Sequence, residues 1–128
     1  MRVAIPHWHG RVSPVFDVAT NLLLVDLEGE GKRRQAHVRL EADEPQARAW
    51  RLAETGTDVL ICGAISWPLE MALVHAGIEV IPHTCGEVEH VLAAFLEGRL
   101  GQRPFLMPGC RGRRRRFHGG RQRSGSRG

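Results

Sequence analysis

The chain has 128 residues, a length typical of one folded domain with a single core. All 14 acidic residues precede residue 101 and nine of the 18 lysines and arginines follow it, so residues 1–100 carry a net charge of −5 and residues 101–128 one of +9. Apolar runs such as residues 22–25 are far shorter than the ~20 residues of a membrane span, and no export signal precedes the three widely spaced cysteines, so we expect a cytoplasmic protein with reduced thiols and no membrane association.

The first part of the chain predicts three β-strands. Residues 2–5 form a short apolar run with β-branched side chains, which Pro6 ends, and a polar, irregular loop follows. Residues 22–27 are almost entirely apolar, and residues 34–40 return after a glycine-rich turn. The second and third strands therefore form a predicted hairpin.

The second part alternates helices with buried strands. A helix begins at Pro45, which the first turn tolerates, and we place Trp50 of this helix in the core. Strands at residues 58–62 and 78–81 are each followed by a helix with one apolar face, the first of which Ser66 caps. The order β-β-β-α-β-α-β-α predicts an α/β domain with a mixed five-stranded sheet, helices on both faces, and parallel first, fourth and fifth strands.

Residues 101–128 have a different composition, with nine arginines, seven glycines and no acidic residue. Burial cannot offset the entropy of ordering such a segment, so we predict a folded domain over residues 1–100 and a disordered basic tail over residues 101–128. The arginine run at residues 113–116 is typical of an arm that binds phosphates weakly and without base specificity. A module that binds nucleic acid or an acidic protein through this tail is therefore the alternative function.

Histidines and cysteines follow each of the strands that we predict to be parallel. The first strand ends at His7 and His9, the fourth at Cys62, and the fifth at His83 and Cys85. Ligands bind at the carboxyl ends of parallel strands because loops and helix N-termini converge there. Imidazole and thiolate groups ligate zinc, copper and iron–sulfur clusters, so this edge is a predicted site for a metal or an anion.

The residues at this edge also have plainer interpretations. Main-chain N–H groups at Ser66 and Gly86 could receive an anionic sulfide cluster, but the sequence contains no C-x-x-C or H-E-x-x-H spacing of a dedicated zinc site. Cys62 also suits the role of a small buried hydrophobe, and Trp8 and Trp67 that of covers for the sheet edge. The remaining histidines are interpreted as solvated, at positions 37, 75, 90 and 118.

Catalysis by Cys85 ranks last among the functions considered. Cys85 precedes a helix N-terminus, a position that suits a nucleophilic thiol, and His83 stands on the same side. No base and orienting group can be read beyond that pair, and the arginine that a cysteine-based phosphate-binding loop needs is missing. We therefore expect no enzymatic activity.

Six stretches of sequence carry a family resemblance, at residues 1–6, 13–26, 58–65, 76–80, 95–100 and 107–110. Together they resemble the family of dinitrogenase iron–molybdenum cofactor biosynthesis proteins, whose members share a ribonuclease-H-like β/α fold. The chain departs from the family pattern at Phe16-Asp17, where members often have Phe-Gly, and at Gly63-Ala64, where they often have Gly-Gly.

The resemblance implies a non-catalytic carrier of an iron–sulfur or molybdenum-containing cluster, which a donor protein supplies or an acceptor protein receives. The cluster pocket that it implies lies at the same strand ends. The metal ligands expected there are His7, His9, His83 and Cys85, with Cys110 reaching in from the tail. The other cofactor-binding residues expected are Cys62, Gly63, Ala64, Ile65, Ser66, Thr84 and Gly86.

Overall fold

The computed structural model describes residues 1–28, 32–98 and 107. In these residues three α-helices surround a mixed six-stranded sheet. The strands are β1 (Arg2–Trp8), β2 (Arg11–Val12), β3 (Asn21–Glu28), β4 (Lys32–Arg39), β5 (Val59–Ile61) and β6 (Glu79–Ile81). The helices are α1 (Pro45–Glu54), α2 (Trp67–His75) and α3 (Val88–Leu96), and a 3-10 turn covers Phe16–Val18.

The sheet has the strand order β4-β3-β1-β5-β6, with β2 paired to the end of β1. Strands β1, β5 and β6 are parallel, whereas β3 and β4 run antiparallel to their neighbours. The predicted hairpin and the predicted parallel strands are confirmed. The sheet has one strand more than the predicted five, because the loop after β1 turns back and pairs Trp8 with Arg11.

Alternating side chains of β1 divide the core between the two faces of the sheet. Ala4 belongs to a buried cluster that includes residues of α1 and α2, such as Leu52 and Leu73. Val3 and Ile5 belong to a second cluster with α3. Successive strand residues point to opposite faces, so the predicted cover of helices on both sides is confirmed.

The prediction that Trp50 lies in the core is wrong. The Trp50 side chain is 67% exposed, and the buried residues of α1 are Arg48, Ala49 and Leu52. A buried arginine is tolerated here because its guanidinium donates hydrogen bonds to the carbonyls of Phe16 and Ala42 at 2.7 Å, and to that of Ala19. The prediction relied on hydrophobicity, which favours the burial of tryptophan over that of arginine, and it therefore assigned Trp50 to the wrong face of the helix.

The predicted boundary at residue 100 and the predicted disorder of residues 101–128 lie outside the described residues, apart from Met107. No helix in the described part of the chain is long and apolar enough to cross a membrane.

Candidate functional site

The carboxyl ends of β1, β5 and β6 lie at one edge of the sheet, and α2 and α3 begin there. A loop of residues 13–20, called here the crossing loop, passes over the end of β5. The N–H of Ala64 donates to the carbonyl of Pro14, and the N–H of Phe16 donates to the carbonyl of Ala64, both at 2.8 Å. The loop is therefore fastened to the strand end by main-chain bonds on both sides of Val15.

Gly63 is the point of closest approach between the crossing loop and β5. A Cβ atom at this position would lie 2.6 Å from the carbonyl oxygens of both Ser13 and Pro14. No side chain fits at that distance, so only glycine allows the loop to close over the strand. Gly63, predicted as part of a cluster cradle, is buried against the protein's own backbone.

The beginning of α2 is occupied by a carboxylate from the crossing loop. The N–H of Ser66, the N-cap residue, donates a 2.8 Å hydrogen bond to Oδ1 of Asp17. An acidic side chain is favourable here because the helix dipole places partial positive charge at the N-terminus. The Ser66 amide, expected to receive an anionic cluster, is thus bonded inside the protein, while Ile65 beside it packs partly buried against the core.

His83, two residues after the end of β6, adopts a left-handed backbone conformation with φ of 61°. This conformation costs an L-residue other than glycine about 1–2 kcal/mol. Three main-chain bonds hold it: the N–H of His83 donates to Gly63, the N–H of Thr84 donates to Cys62, and the N–H of Met107 donates to His83, all at 2.9 Å. Strained residues of this kind concentrate at ligand sites, and His83 is one of the two residues other than glycine with a positive φ in the described part of the chain.

The cysteines of the predicted site have different exposures. Cys85 is half-buried and follows Thr84, which is buried, whereas Cys62 has no exposed surface and belongs to the core cluster of α1 and α2. The interpretation of Cys62 as a small buried hydrophobe fits this position. Cys110 lies outside the described residues.

The turn between β1 and β2 determines where His9 lies. His9 and Gly10 have φ of 52° and 77°, the two positive values that a type I′ hairpin turn requires. The His9 ring is exposed and packs edge-on against Trp8, with 4.0 Å between ring centroids. The turn is joined to α3 at the same edge, since the N–H of Val88 donates to the carbonyl of Gly10 at 2.9 Å.

Gly86 connects the loop after β6 with β2. Its carbonyl accepts a 2.9 Å hydrogen bond from the N–H of Val12. Its φ of 122° is a conformation that side chains rarely adopt, so glycine is required at this position. The crossing loop, the β1–β2 turn and the loop after β6 therefore form one continuous hydrogen-bonded rim.

His7 contacts a histidine that the sequence analysis treated as solvated. Its Nε2 lies 3.3 Å from Nδ1 of His37 on β4, and the two rings meet edge-on with centroids 5.2 Å apart. Burial, followed by the nearby His37 charge, lowers the pKa of His7 below its ordinary value and so favours the neutral imidazole. The strand register brings the two histidines together. His37 pairs with Leu23, Leu23 pairs with Ile5, and His7 follows Ile5 by two residues on the same face of the sheet.

The four predicted metal ligands that the structure describes, His7, His9, His83 and Cys85, do not form one preformed site. Across residues 1–28, 32–98 and 107, no three His, Cys, Asp or Glu side chains are grouped closely enough to hold a metal ion. His9, His83 and Cys85 are each at least partly accessible at the rim, whereas His7 turns toward His37. The predicted ligand set stays a prediction.

Large apolar side chains are exposed beside this rim. Trp8 is 62% exposed at the end of β1, and Trp67 is 71% exposed at the first residue of α2. Val15 and Val18 of the crossing loop are also exposed. Both tryptophans are therefore mostly exposed to solvent, and their role as covers for the sheet edge stays a prediction.

Three solved structures are similar to this chain over most of their length. The crystal structure of PH0822 is 26% identical with a TM-score of 0.71, and the match covers 77% of this chain and 93% of that one. The NMR structure of a NifB-like protein from Thermotoga is 26% identical with a TM-score of 0.58, covering 77% and 89%. The apo form of the orange protein from Desulfovibrio gigas is 26% identical with a TM-score of 0.63, covering 84% and 92%.

The comparison with curated protein sequences found no significant match. The family model described as dinitrogenase iron-molybdenum cofactor matches residues 1–98, from the first residue of the chain to the glycine that follows α3. The matched residues contain the whole described sheet, the crossing loop and the rim. The chain therefore belongs to the dinitrogenase iron-molybdenum cofactor family.

Proposed function

We propose that this protein is a non-catalytic carrier of a metal–sulfur cluster, held at the rim where β1, β5 and β6 end. The observation that carries the proposal is His83, held in a left-handed conformation beside the half-buried Cys85 at the rim. Imidazole and thiolate are ligands of molybdenum-free and molybdenum-containing iron–sulfur clusters alike, and family membership favours such a cargo. The similar orange protein is described in an apo form, which is the state of a protein that takes up a ligand.

Accessibility at the rim decides which of the predicted residues we propose as ligands. His83, Cys85 and His9 lie at the rim itself and are the proposed ligands. The proposed cradle around them comes from the backbone of Ala64, Thr84 and Gly86. The crossing loop holds Ala64, whereas main-chain bonds to Cys62 and from Val12 hold Thr84 and Gly86. Cys62 is enclosed in the core and supports β5 instead of ligating, while Cys110 is a proposed additional ligand from outside the described residues.

A rim of main-chain bonds suits a carrier. Its loops are fixed by backbone hydrogen bonds, while a few side chains at the surface can bind and release a preformed cluster. Exposed Trp8 and Trp67 beside the rim supply apolar surface for the sulfides of a cluster or for a donor or acceptor protein. An exposed rim also lets that protein reach the cluster directly.

Anaerobic reconstitution tests the proposal. The full chain is incubated with iron and sulfide, or with tetrathiomolybdate, and metal content and absorption are measured after desalting. The double variant His83→Gly/Cys85→Ser removes both ligands while keeping a residue that tolerates the left-handed conformation. His75→Gln is the matched control, because His75 is exposed at the end of α2 and away from the rim.

We expect a stoichiometric chromophore in the wild type and in the control, and its loss in the double variant. A colourless wild type without bound metal under both conditions would overturn the proposal. A chromophore retained in the double variant would place the cluster elsewhere. Deleting residues 101–128 separates the alternative function, since a module that binds nucleic acid or acidic proteins through its tail loses that binding and keeps its fold.

A further inference from the structure

A pair of histidines on the outer part of the sheet lies away from the rim ligands. His7 is the next-to-last residue of the central strand β1, and His37 lies on the edge strand β4, with β3 between them. Ile5 and Leu23 pack against α3 on one face of the sheet. His7 is on the same face because it follows Ile5 by two residues, and His37 is on it because it pairs with Leu23. The two rings meet across β3, with Nε2 of His7 3.3 Å from Nδ1 of His37.

The spacing of these nitrogens is that of two ligands on one metal ion. Two imidazole nitrogens that each lie about 2.0–2.1 Å from a tetrahedral zinc ion are about 3.3–3.4 Å apart. The same spacing also suits a hydrogen bond between one ring N–H and the other ring nitrogen, which a bound ion replaces when the ring proton moves to the other nitrogen of its imidazole. The edge-on arrangement of the rings, with an interplanar angle of 79°, also lets the two nitrogens converge without stacking of the rings.

The surroundings of the pair allow a cation to approach. His37 is exposed and His7 is half-buried, so one imidazole is held in place by the protein while solvent reaches the pair from the side of β4. Arg39 lies two residues from His37 on the same face, but its Nε is bonded to Glu41 at 2.8 Å, which offsets its charge. Water would complete the coordination, because no third protein ligand is grouped with the pair among the described residues.

From this geometry we infer that His7 and His37 form a binding site for a divalent transition-metal ion such as Zn²⁺ or Co²⁺, separate from the proposed cluster site. Neutral imidazole is a preferred ligand of these ions, and a site with two protein ligands and bound water binds them reversibly. The site would therefore hold a single ion taken from solution and not a preformed cluster.

Zinc titration of the full chain, followed by the imidazole proton signals in NMR, tests the inference residue by residue. The signals of His7 and His37 should shift together with one common midpoint. Mutation of a residue that only hydrogen-bonds to a metal ligand typically weakens metal binding about 10–100-fold. His37→Gln removes a ligand itself, so it should raise the zinc concentration at the His7 midpoint by at least about tenfold. His75→Gln, on an exposed histidine of α2, should leave it unchanged.

Separate midpoints for His7 and His37, or an unchanged His7 midpoint in His37→Gln, would overturn the inference. His37 is exposed on an edge strand, so its replacement leaves the fold intact and the comparison interpretable. The outcome is also independent of the proposed function. His37→Gln should form the cluster chromophore like the wild type, and the zinc result stands even where no chromophore forms.

Discussion

Asp17 and Ser66 are 49 residues apart in sequence, and the Asp17 carboxylate accepts the main-chain N–H of Ser66 at 2.8 Å. This bond joins the crossing loop to the first turn of α2. It also uses one of the main-chain N–H groups at the helix N-terminus that could otherwise bind an anion. The position at which the chain departs from the Phe-Gly pattern of its family is thus the position that supplies this carboxylate.

Replacing Asp17 by alanine should lower the free energy of unfolding by about 1 kcal/mol, which is the typical effect of losing a capping carboxylate. Urea denaturation monitored by circular dichroism measures the change. Glu54→Ala is the control, since Glu54 is exposed at the far end of α1. Equal stability of the Asp17 variant and the wild type would show that the bond does not hold the loop.

Replacing Gly63 by alanine should destabilise the fold by about 1–3 kcal/mol or more, because the new methyl group meets the carbonyl oxygens of Ser13 and Pro14 at 2.6 Å. Thermal unfolding is the measurement. Gly77→Ala provides the comparison, because a Cβ there has open space and the cost comes only from its φ of 89°. A Gly63 variant more stable than the Gly77 variant would contradict the close approach of the crossing loop.

Variants at His83 should show how its left-handed backbone conformation affects stability, apart from any role of its imidazole. Glycine suits a φ of 61°, so relief of about 1–2 kcal/mol of strain offsets the roughly 0.5–1 kcal/mol entropic cost of glycine, and His83→Gly should be about as stable as the wild type. His83→Val places a β-branched residue in the same conformation and should be clearly less stable. Chemical denaturation compares the stabilities of the two variants. A valine variant more stable than the glycine variant would contradict the left-handed conformation of residue 83.

The ion pair between Arg2 and Asp26 should make stability depend on pH in the acidic range. The guanidinium of Arg2 donates to both carboxylate oxygens of Asp26, at 2.7 and 2.9 Å, and this bonding holds the pKa of Asp26 below its ordinary value. A depressed carboxyl pKa contributes stability that is present above the unfolded pKa of about 3.9 and is lost as the pH falls through the folded value. The difference in unfolding free energy between wild type and Asp26→Asn should therefore shrink as the pH is lowered below about 4.

Denaturation curves at pH 7 and at successively lower pH give that comparison. Glu54→Gln, at an exposed position on α1 away from this ion pair, is the control variant measured beside them. A difference between wild type and Asp26→Asn that stays constant down to the lowest pH would mean that the ion pair contributes nothing through its charge. Because both side chains are partly exposed, added salt should also reduce the difference.

Local patterns in the sequence were enough to locate five of the six described strands, the three helices and the edge at which the loops converge. Apolar runs bounded by proline and glycine marked β1, β5 and β6, and their parallel arrangement followed from the helices between them. The short strand β2 was missed because two residues are too few to show a period, although the positive φ of His9 and Gly10 makes the turn tight enough to form it. Trp50 was wrongly placed in the core, and the burial of Arg48 was not foreseen because it depends on carbonyl groups that are distant in sequence.

The sequence by itself determined the fold class, the family and the edge that carries the histidines and Cys85, since each depends on order and composition along the chain. Only the tertiary structure decided which of those groups are available. Cys62 is enclosed in the core, the Ser66 amide is bonded to Asp17, and His7 turns to His37. Each of these facts is a contact between segments that lie far apart in sequence, and local periodicity carries no information about such contacts.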